Sequence, residues 1–113
     1  MTLTYNELFI YLDAIATENN VSLTFAAKDF FFNLVQYCEE NGCYDYETDL
    51  FSVEGNVRLF GEIFGIGSHR SVRESIALLE SIGIIRAVVN TPAPTVYYIQ
   101  FPYMELKGNI FSP

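Results

Sequence analysis

A break between two amphipathic segments constrains the folding of this chain more than any other feature of its sequence. Val57 to Phe64 has apolar residues at helical spacing, and Gly65-Ile66-Gly67 then interrupts the pattern. A second helical pattern follows, for which Ser68 is a good N-cap and Gly83 a good terminator. Its apolar residues fall on one side of the helix: Val72, Ile76, Leu79 and Ile82. The sequence therefore predicts two short helices joined by a tight turn.

The spacing of apolar residues changes after this pair of helices. Residues 84–89 and 95–101 are rich in β-branched and aromatic side chains, which favour strands. Between them, residues 90–94 contain two prolines and are typical of a turn. We therefore predict a β-hairpin over 84–101, followed by a tail over 102–113 that has no clear period.

Two longer helical segments precede the pair. Thr4-Tyr5-Asn6-Glu7 matches a capping box, which predicts a first helix that ends near residues 18–20. The second helix is expected to start at Ser22 or Thr24 and to stop at Gly42. It is apolar nearly all round, because the consecutive Phe30, Phe31 and Phe32 cannot share one helical face. A helix of this kind lies at the centre of its own core or at a subunit interface.

The segment between the second and third helices is short and acidic. Residues 43–49 are predicted to form a solvated loop, and residues 50–53 a brief strand. The alternating carboxylates of the loop lack the glycine and the later glutamate of a calcium site. Cys38 and Cys43 are too few ligands for zinc in a chain with one histidine, so free thiols are expected. No metal or cofactor is predicted.

Four groups of residues between Val57 and Arg86 carry a resemblance to a known family. They are Phe60-Gly61 in the first helix, Phe64-Gly65-Ile66 at the turn, Ser71-Val72-Arg73 in the second helix, and Leu79-Glu80-Ser81-Ile82-Gly83-Ile84-Ile85 at its end. Together they resemble the helix-turn-helix of the bacterial winged-helix superfamily. Gly67 adds one residue to the usual turn, and this variant is similar to turns in phage and plasmid replication-initiator and primosome-loading proteins.

The resemblance implies an α+β, mainly helical fold: a winged helix-turn-helix with two N-terminal helices and a C-terminal β-hairpin wing. The resemblance itself covers about residues 50–101. We expect a single domain over 1–113, with N-terminal helices over 4–42, the helix-turn-helix over 54–83, the wing over 84–101 and the tail over 102–113. Within the turn, Gly61 is expected to permit close approach of the helices and Gly65 a left-handed backbone.

The resemblance also implies a DNA-binding surface, since the helix after the turn lies in the major groove in such proteins. The residues at its N-terminal end are Ser68, His69, Arg70, Ser71 and Arg73. We expect Arg70 or Arg73 to bond guanine and Ser68 or Ser71 to bond phosphate. The predicted turn of the wing contains no Lys or Arg, unlike the basic wing of many DNA-binding relatives.

The net charge of the chain argues against DNA binding. The formal net charge is −8 and the isoelectric point is near 4.4, so the molecule as a whole should repel nucleic acid. The charges are distributed unevenly: residues 1–57 carry ten acids and one base, whereas residues 58–90 contain four of the six basic residues. DNA binding therefore depends on the second region alone.

Two functions remain open at this point. The first is a DNA-binding protein of a phage, plasmid or other mobile element, which acts in replication initiation or transcription regulation by occupying a site on double-stranded DNA. In this hypothesis the aromatic N-terminal helices hold a homodimer, because one weakly basic module binds DNA poorly alone. The alternative is an acidic protein–protein interaction module, either an adaptor in a replication complex or an inhibitor of a host nucleic-acid-binding protein.

Enzymatic activity and membrane association are not expected. The sequence contains no phosphate-binding loop, nucleophile elbow or metal-ligand cluster. It also lacks the apolar run of a membrane span and the basic–apolar start of a signal peptide. We therefore expect a cytoplasmic protein that performs no catalysis.

Overall fold

The computed structural model describes residues 5–41, 44–45, 47, 50–89 and 94–99. They form a mainly helical α+β structure, as predicted. Its elements in chain order are α1 (Tyr5–Glu18), α2 (Phe25–Asn41), β1 (Tyr44–Asp45), β2 (Leu50–Gly55), α3 (Val57–Phe64), α4 (His69–Ser81), β3 (Ile85–Val88) and β4 (Thr95–Ile99).

The two N-terminal helices have the predicted extents. Of the two candidate caps for α2, Thr24 is the one used, since its Oγ1 accepts a hydrogen bond of 3.1 Å from the backbone N–H of Ala27. Thr4 of the predicted capping box and Gly42 of the predicted helix end lie outside the described residues.

Helix α2 is buried within its own chain. Phe30 and Phe31 are 0% and 1% exposed, and the ring of Phe30 makes edge contacts with Phe60 and Phe64 of α3. Phe32 is half-buried and lies edge-on to the ring of Tyr5 in α1. Of the two environments predicted for this aromatic run, the structure therefore shows the core of the protomer itself.

The strands form one antiparallel sheet in the order β1-β2-β4-β3. Strand β2 pairs with β4 from Phe51 opposite Ile99 to Gly55 opposite Thr95. Strand alternation sends Phe51, Val53, Tyr97 and Ile99 to the buried face, where they meet the helices. The sheet closes the core beneath α2, α3 and α4.

Two predicted boundaries in this region are wrong. Residues 44–45 belong to the predicted loop, but they form the short strand β1, paired with Leu50 and Phe51. Strand β2 also continues past residue 53, where the predicted strand ends, to Gly55. Position 55 favours glycine because the ring of Phe60 covers it: a Cβ there would lie 2.8 Å from Phe60 Cζ.

The predicted hairpin is present as the antiparallel pair β3–β4, which runs from Ile85 opposite Ile99 to Val88 opposite Val96. Strand β3 is shorter than the predicted 84–89, whereas β4 occupies every described residue of the predicted 95–101. The residues of the predicted turn from 90 to 93, the end of the second predicted strand at 100–101, and the tail over 102–113 lie outside the described residues.

Among the residues that the structure describes, no helix combines the length and apolarity that crossing a membrane requires.

Candidate functional site

The turn between α3 and α4 is built by two glycines in different ways. Gly65 has φ 69° and ψ 30°, the left-handed conformation that glycine adopts without steric cost. Gly61 is needed for space, because a Cβ at that position would lie 3.0 Å from the carbonyl oxygen of Ile66. The backbone N–H of Ile66 donates to the carbonyl of Gly61 over 2.8 Å, which ties the turn to α3. The predicted role of Gly65 is confirmed. The close approach at Gly61 involves Ile66 of the turn and not α4, whose nearest atom, His69 Cδ2, would lie at an ordinary 3.8 Å from such a Cβ.

The apolar side of α4 fixes its orientation. Val72 and Leu79 are fully buried, Ile76 is 7% exposed, and Ile66 of the turn packs against the same core. At the end of the helix, Gly83 has a φ of 79°, and the N–H of Ile84 donates back to Leu79. Because one side of α4 faces the core, the opposite side of the helix faces solvent.

The start of α4 is also as predicted. Ser68 is the N-cap, and its Oγ accepts a hydrogen bond of 3.2 Å from the backbone N–H of Ser71. In this bond Oγ is the acceptor, so the Ser68 hydroxyl hydrogen remains available as a donor to another molecule. The first turn of α4 contains no acidic residue, so no carboxylate there offsets the positive end of the helix dipole. The exposed end of the helix therefore favours an anion.

The five predicted site residues lie together in the first turns of α4. Ser68, His69, Arg70 and Arg73 are exposed, and Ser71 is half-buried. The Arg70 side chain is 86% exposed, and its Nε donates to Oε1 of Glu74 over 2.9 Å. Arg73 has no ion-pair partner within the described part of the chain. The site thus presents one guanidinium paired within the helix and one that is unpaired among those residues.

Two other arginines lie outside this cluster. Arg58 of α3 pairs with Glu62 at 3.2 Å, with the same i,i+4 spacing as the pair on α4. Arg86 of β3 lies opposite Tyr98 of β4, and its guanidinium carbon is 5.1 Å from the centre of the Tyr98 ring. Within α3 and α4, three arginines are balanced by three glutamates. This surface is therefore neutral and not basic.

A feature that the sequence did not reveal is a groove of about 180 Å³ between α2 and α3. Its described lining residues are Asn33, Gln36, Tyr37, Glu40, Ile63 and Phe64. Next to it on α3, Leu59 and Ile63 are 37% and 39% exposed. Their i,i+4 spacing was visible in the sequence, but which part of the α3 apolar stripe would stay uncovered depends on how the helices pack.

The potential metal ligands of the chain do not gather into a site. Over the described ranges, no group of three His, Cys, Asp or Glu residues could hold a metal ion. Cys38 is a buried thiol that forms no disulfide, as predicted, and Cys43 lies outside those ranges.

Comparison with known proteins gives a relationship in fold. No protein-family model matches the sequence, and no curated protein does either. A solved structure described as "N-Terminal domain of DNA binding protein" aligns with a TM-score of 0.62 and 16% sequence identity. The alignment covers 88% of this chain and 84% of the other. At this identity the similarity concerns the arrangement of helices and strands.

Proposed function

We propose that this chain is a winged-helix domain that binds double-stranded DNA through the N-terminal end of α4. The observation that carries the proposal is the exposure of Arg70 and Arg73 on the outward side of the helix that follows the turn. The order of strands β2, β4 and β3 is compatible with a winged helix. The structural neighbour that is described as part of a DNA-binding protein supports the same conclusion.

The chemistry of α4 suits insertion into the major groove. Ser68 and the N–H groups of the first turn are suited to a phosphate, because the helix dipole and the absence of a first-turn acid favour an anion. Arg70 and Arg73 extend from the same end and are suited to guanine O6 and N7. His69 is exposed beside them and completes the proposed contact surface.

We propose that the domain acts by occupying its site, without chemistry on the DNA. The setting we propose is replication initiation or transcription regulation in the cytoplasm, on behalf of a phage, plasmid or other mobile element. A homodimer is part of this proposal, because the neutral surface of α3 and α4 releases few counterions from DNA and gains from a second copy. Ile10 and Phe25 of the N-terminal helices are 71% and 67% exposed and are available for such a contact.

The test is a gel shift at low salt with the double variant Arg70→Ala/Arg73→Ala. The parent should retain a duplex, and the double variant should lose at least about tenfold in affinity, since two charged contacts are removed. Arg58→Ala is the matched control, because it removes an exposed arginine from the same kind of i,i+4 pair on α3. Equal binding by the parent and the double variant would show that DNA binds elsewhere or not at all.

The second candidate is a protein–protein module for a basic partner, as an adaptor in a replication complex or as an inhibitor of a nucleic-acid-binding protein. The specific observation that favours it is the net charge of −8 on a chain whose α3 and α4 surface is neutral, together with the exposed Leu59 and Ile63 at the groove. A heparin column at low salt separates the two candidates. Retention that is lost in Arg70→Ala/Arg73→Ala supports DNA binding, whereas flow-through combined with tight binding to a basic protein supports the second candidate.

A further inference from the structure

We infer that Glu74 is a positioning residue for Arg70, and that the two side chains read guanine as one unit. This inference rests on the proposed DNA-binding function. It goes beyond that function because it assigns a role in sequence specificity to an acidic residue. If attraction to phosphates were the whole of binding, a carboxylate at this position would only weaken it.

The hydrogen bond between Glu74 and Arg70 leaves the two terminal nitrogens of the Arg70 guanidinium available to DNA. Glu74 Oε1 accepts from Nε, the nitrogen nearest the aliphatic stem, at 2.9 Å. The guanidinium is planar and carries its donors in a fixed fork, so a hydrogen bond at Nε restricts the orientation of the whole group. The two terminal nitrogens then present parallel N–H donors, which suit the O6 and N7 acceptors of guanine.

Both side chains remain accessible in this arrangement. Arg70 and Glu74 are 86% and 61% exposed, on the side of α4 that does not face the core. An exposed pair at i,i+4 contributes little to the stability of the helix. For binding, the pair favours one orientation of a long side chain before DNA arrives, and this lowers part of the entropy lost on contact.

The negative charge of Glu74 also increases the selectivity for a specific site over non-specific DNA. A carboxylate one helical turn beyond Arg70 repels phosphates, so it weakens binding that depends on charge alone. It does not weaken the contact to guanine, which depends on the orientation of the Arg70 fork. The ratio of specific to non-specific affinity therefore increases, while the total positive charge of the site stays low.

Removing Glu74 should move these two affinities in opposite directions. In Glu74→Ala, affinity for bulk genomic DNA should rise several-fold, because a repelling charge is lost. Preference for a duplex containing guanine should fall, because Arg70 is no longer oriented. Glu74→Gln should keep part of the preference, since its amide oxygen still accepts from Nε without the charge.

The experiment uses the full chain and a duplex selected from a randomised pool by the parent protein. Each guanine of the selected site is replaced in turn by 7-deazaguanine, which lacks the N7 acceptor. The parent should lose about tenfold in affinity at one such position. The Glu74→Ala variant should lose less than threefold there, and Glu62→Ala, which removes the same charge from the pair on α3, should behave like the parent.

The possible failures are distinguishable. If Glu74→Ala keeps the full sensitivity to 7-deazaguanine, the inference is wrong while the proposed function stands. If Arg70→Ala retains the same sensitivity as the parent, Arg70 does not read that guanine and the inference is wrong, while the proposed function stands on Arg73. If the parent selects no duplex, the proposed function fails together with the inference.

Discussion

The charged side chains of the N-terminal helix pair and those of α3 and α4 make contacts of different kinds. In the N-terminal pair they join one helix to the other: Lys28 of α2 reaches Asp13 of α1 at 3.0 Å, and the Tyr5 hydroxyl donates to Asp29 at 2.7 Å. In α3 and α4 the described ion pairs each join a helix to itself, Arg58 with Glu62 and Arg70 with Glu74.

This difference separates stability from recognition. A contact between helices helps to fix the tertiary structure, so removing it should destabilise the fold. An ion pair within one exposed helix contributes roughly a few tenths of a kcal/mol to the free energy of unfolding, so its loss should leave the fold intact. The arginines of α4 can therefore serve binding at little cost to stability, whereas Lys28 and Tyr5 stabilise the packing of α1 on α2.

The largest expected effect comes from Phe60, the side chain at which the two regions meet. It is fully buried and contacts Phe30 of α2, Phe64 of α3 and Tyr97 of β4. Phe60→Ala should lower the free energy of unfolding by about 3–5 kcal/mol. Denaturant unfolding measures this loss, and Phe60→Leu provides a milder variant if the alanine protein does not fold.

Phe25→Ala is the control for that prediction, because the same atoms are removed from a ring that is 67% exposed. Its loss should stay within about 1 kcal/mol. Losses of equal size at the two positions would contradict the described core.

The turn that joins α3 to α4 should give effects of opposite sign at two glycines. A Cβ at either Gly65 or Gly67 meets nothing within 4 Å, but only Gly65 has a left-handed φ, of 69°. Gly65→Ala should therefore destabilise by about 1–2 kcal/mol, whereas Gly67→Ala should stabilise by about 0.4–1 kcal/mol, because it restricts the unfolded chain. Thermal unfolding of both variants tests the prediction, and a loss of stability in Gly67→Ala would contradict it.

Tyr5 gives a prediction about pH for the N-terminal pair. Burial, followed by the hydrogen bond to Asp29 and the charge of that carboxylate, raises the pKa of Tyr5 to about 12. In the unfolded chain the phenol ionises near its ordinary pKa of about 10, so its stabilising contribution is complete below pH 10 and is lost as the pH rises towards 12. Denaturant unfolding between pH 9 and about 12 should show this decline.

Tyr5→Phe tests the same contact in two ways. At neutral pH it should cost about 1 kcal/mol, because the hydrogen bond to a charged group is lost. It should also flatten part of the alkaline decline. The rest should respond to Tyr97→Phe, since burial and the charge of Glu80 raise the pKa of Tyr97 as well. An unchanged decline in Tyr5→Phe would assign the effect to other groups.

The smallest effect is also the most direct comparison of the two regions. The Lys28 side chain is only 16% exposed, pairs with Asp13, and lies 5.2 Å from the centre of the Phe9 ring. Lys28→Met should lower stability by about 1 kcal/mol, and Arg70→Met by no more than about 0.3 kcal/mol. Equal losses would mean that pairs between helices and pairs within helices contribute alike.

The parts of the fold that depend on local chemistry could be predicted from the sequence. Helix α3 has the predicted bounds, because the Gly65-Ile66-Gly67 break ends its apolar spacing within a few residues. The cap at Ser68 and the stop at Gly83 are local signals of the same kind. The candidate residues at the start of α4 were chosen from the resemblance to a helix-turn-helix, whereas the pairing of Arg70 with Glu74 was seen only in the structure.

The features that sequence reasoning missed depend on distant residues. Strand β1 has two residues and exists through its pairing with β2. Gly55 is the last residue of β2, and the ring of Phe60 packs over it, a contact that the pattern of strand-forming residues does not show. The contact of Lys28 with Asp13 joins residues on two helices, so no periodicity in either helix predicts it.

The pairing of β2 with β4 has a consequence for the order of folding. Phe51 and Ile99 face each other across the sheet but are far apart in the chain, and both α3 and α4 lie between them. This long loop must close before the central strand pair can form, which is entropically costly and slow compared with local helix formation. Helix α4 should therefore form early. It should take up its final orientation relative to the sheet only when β4 pairs with β2.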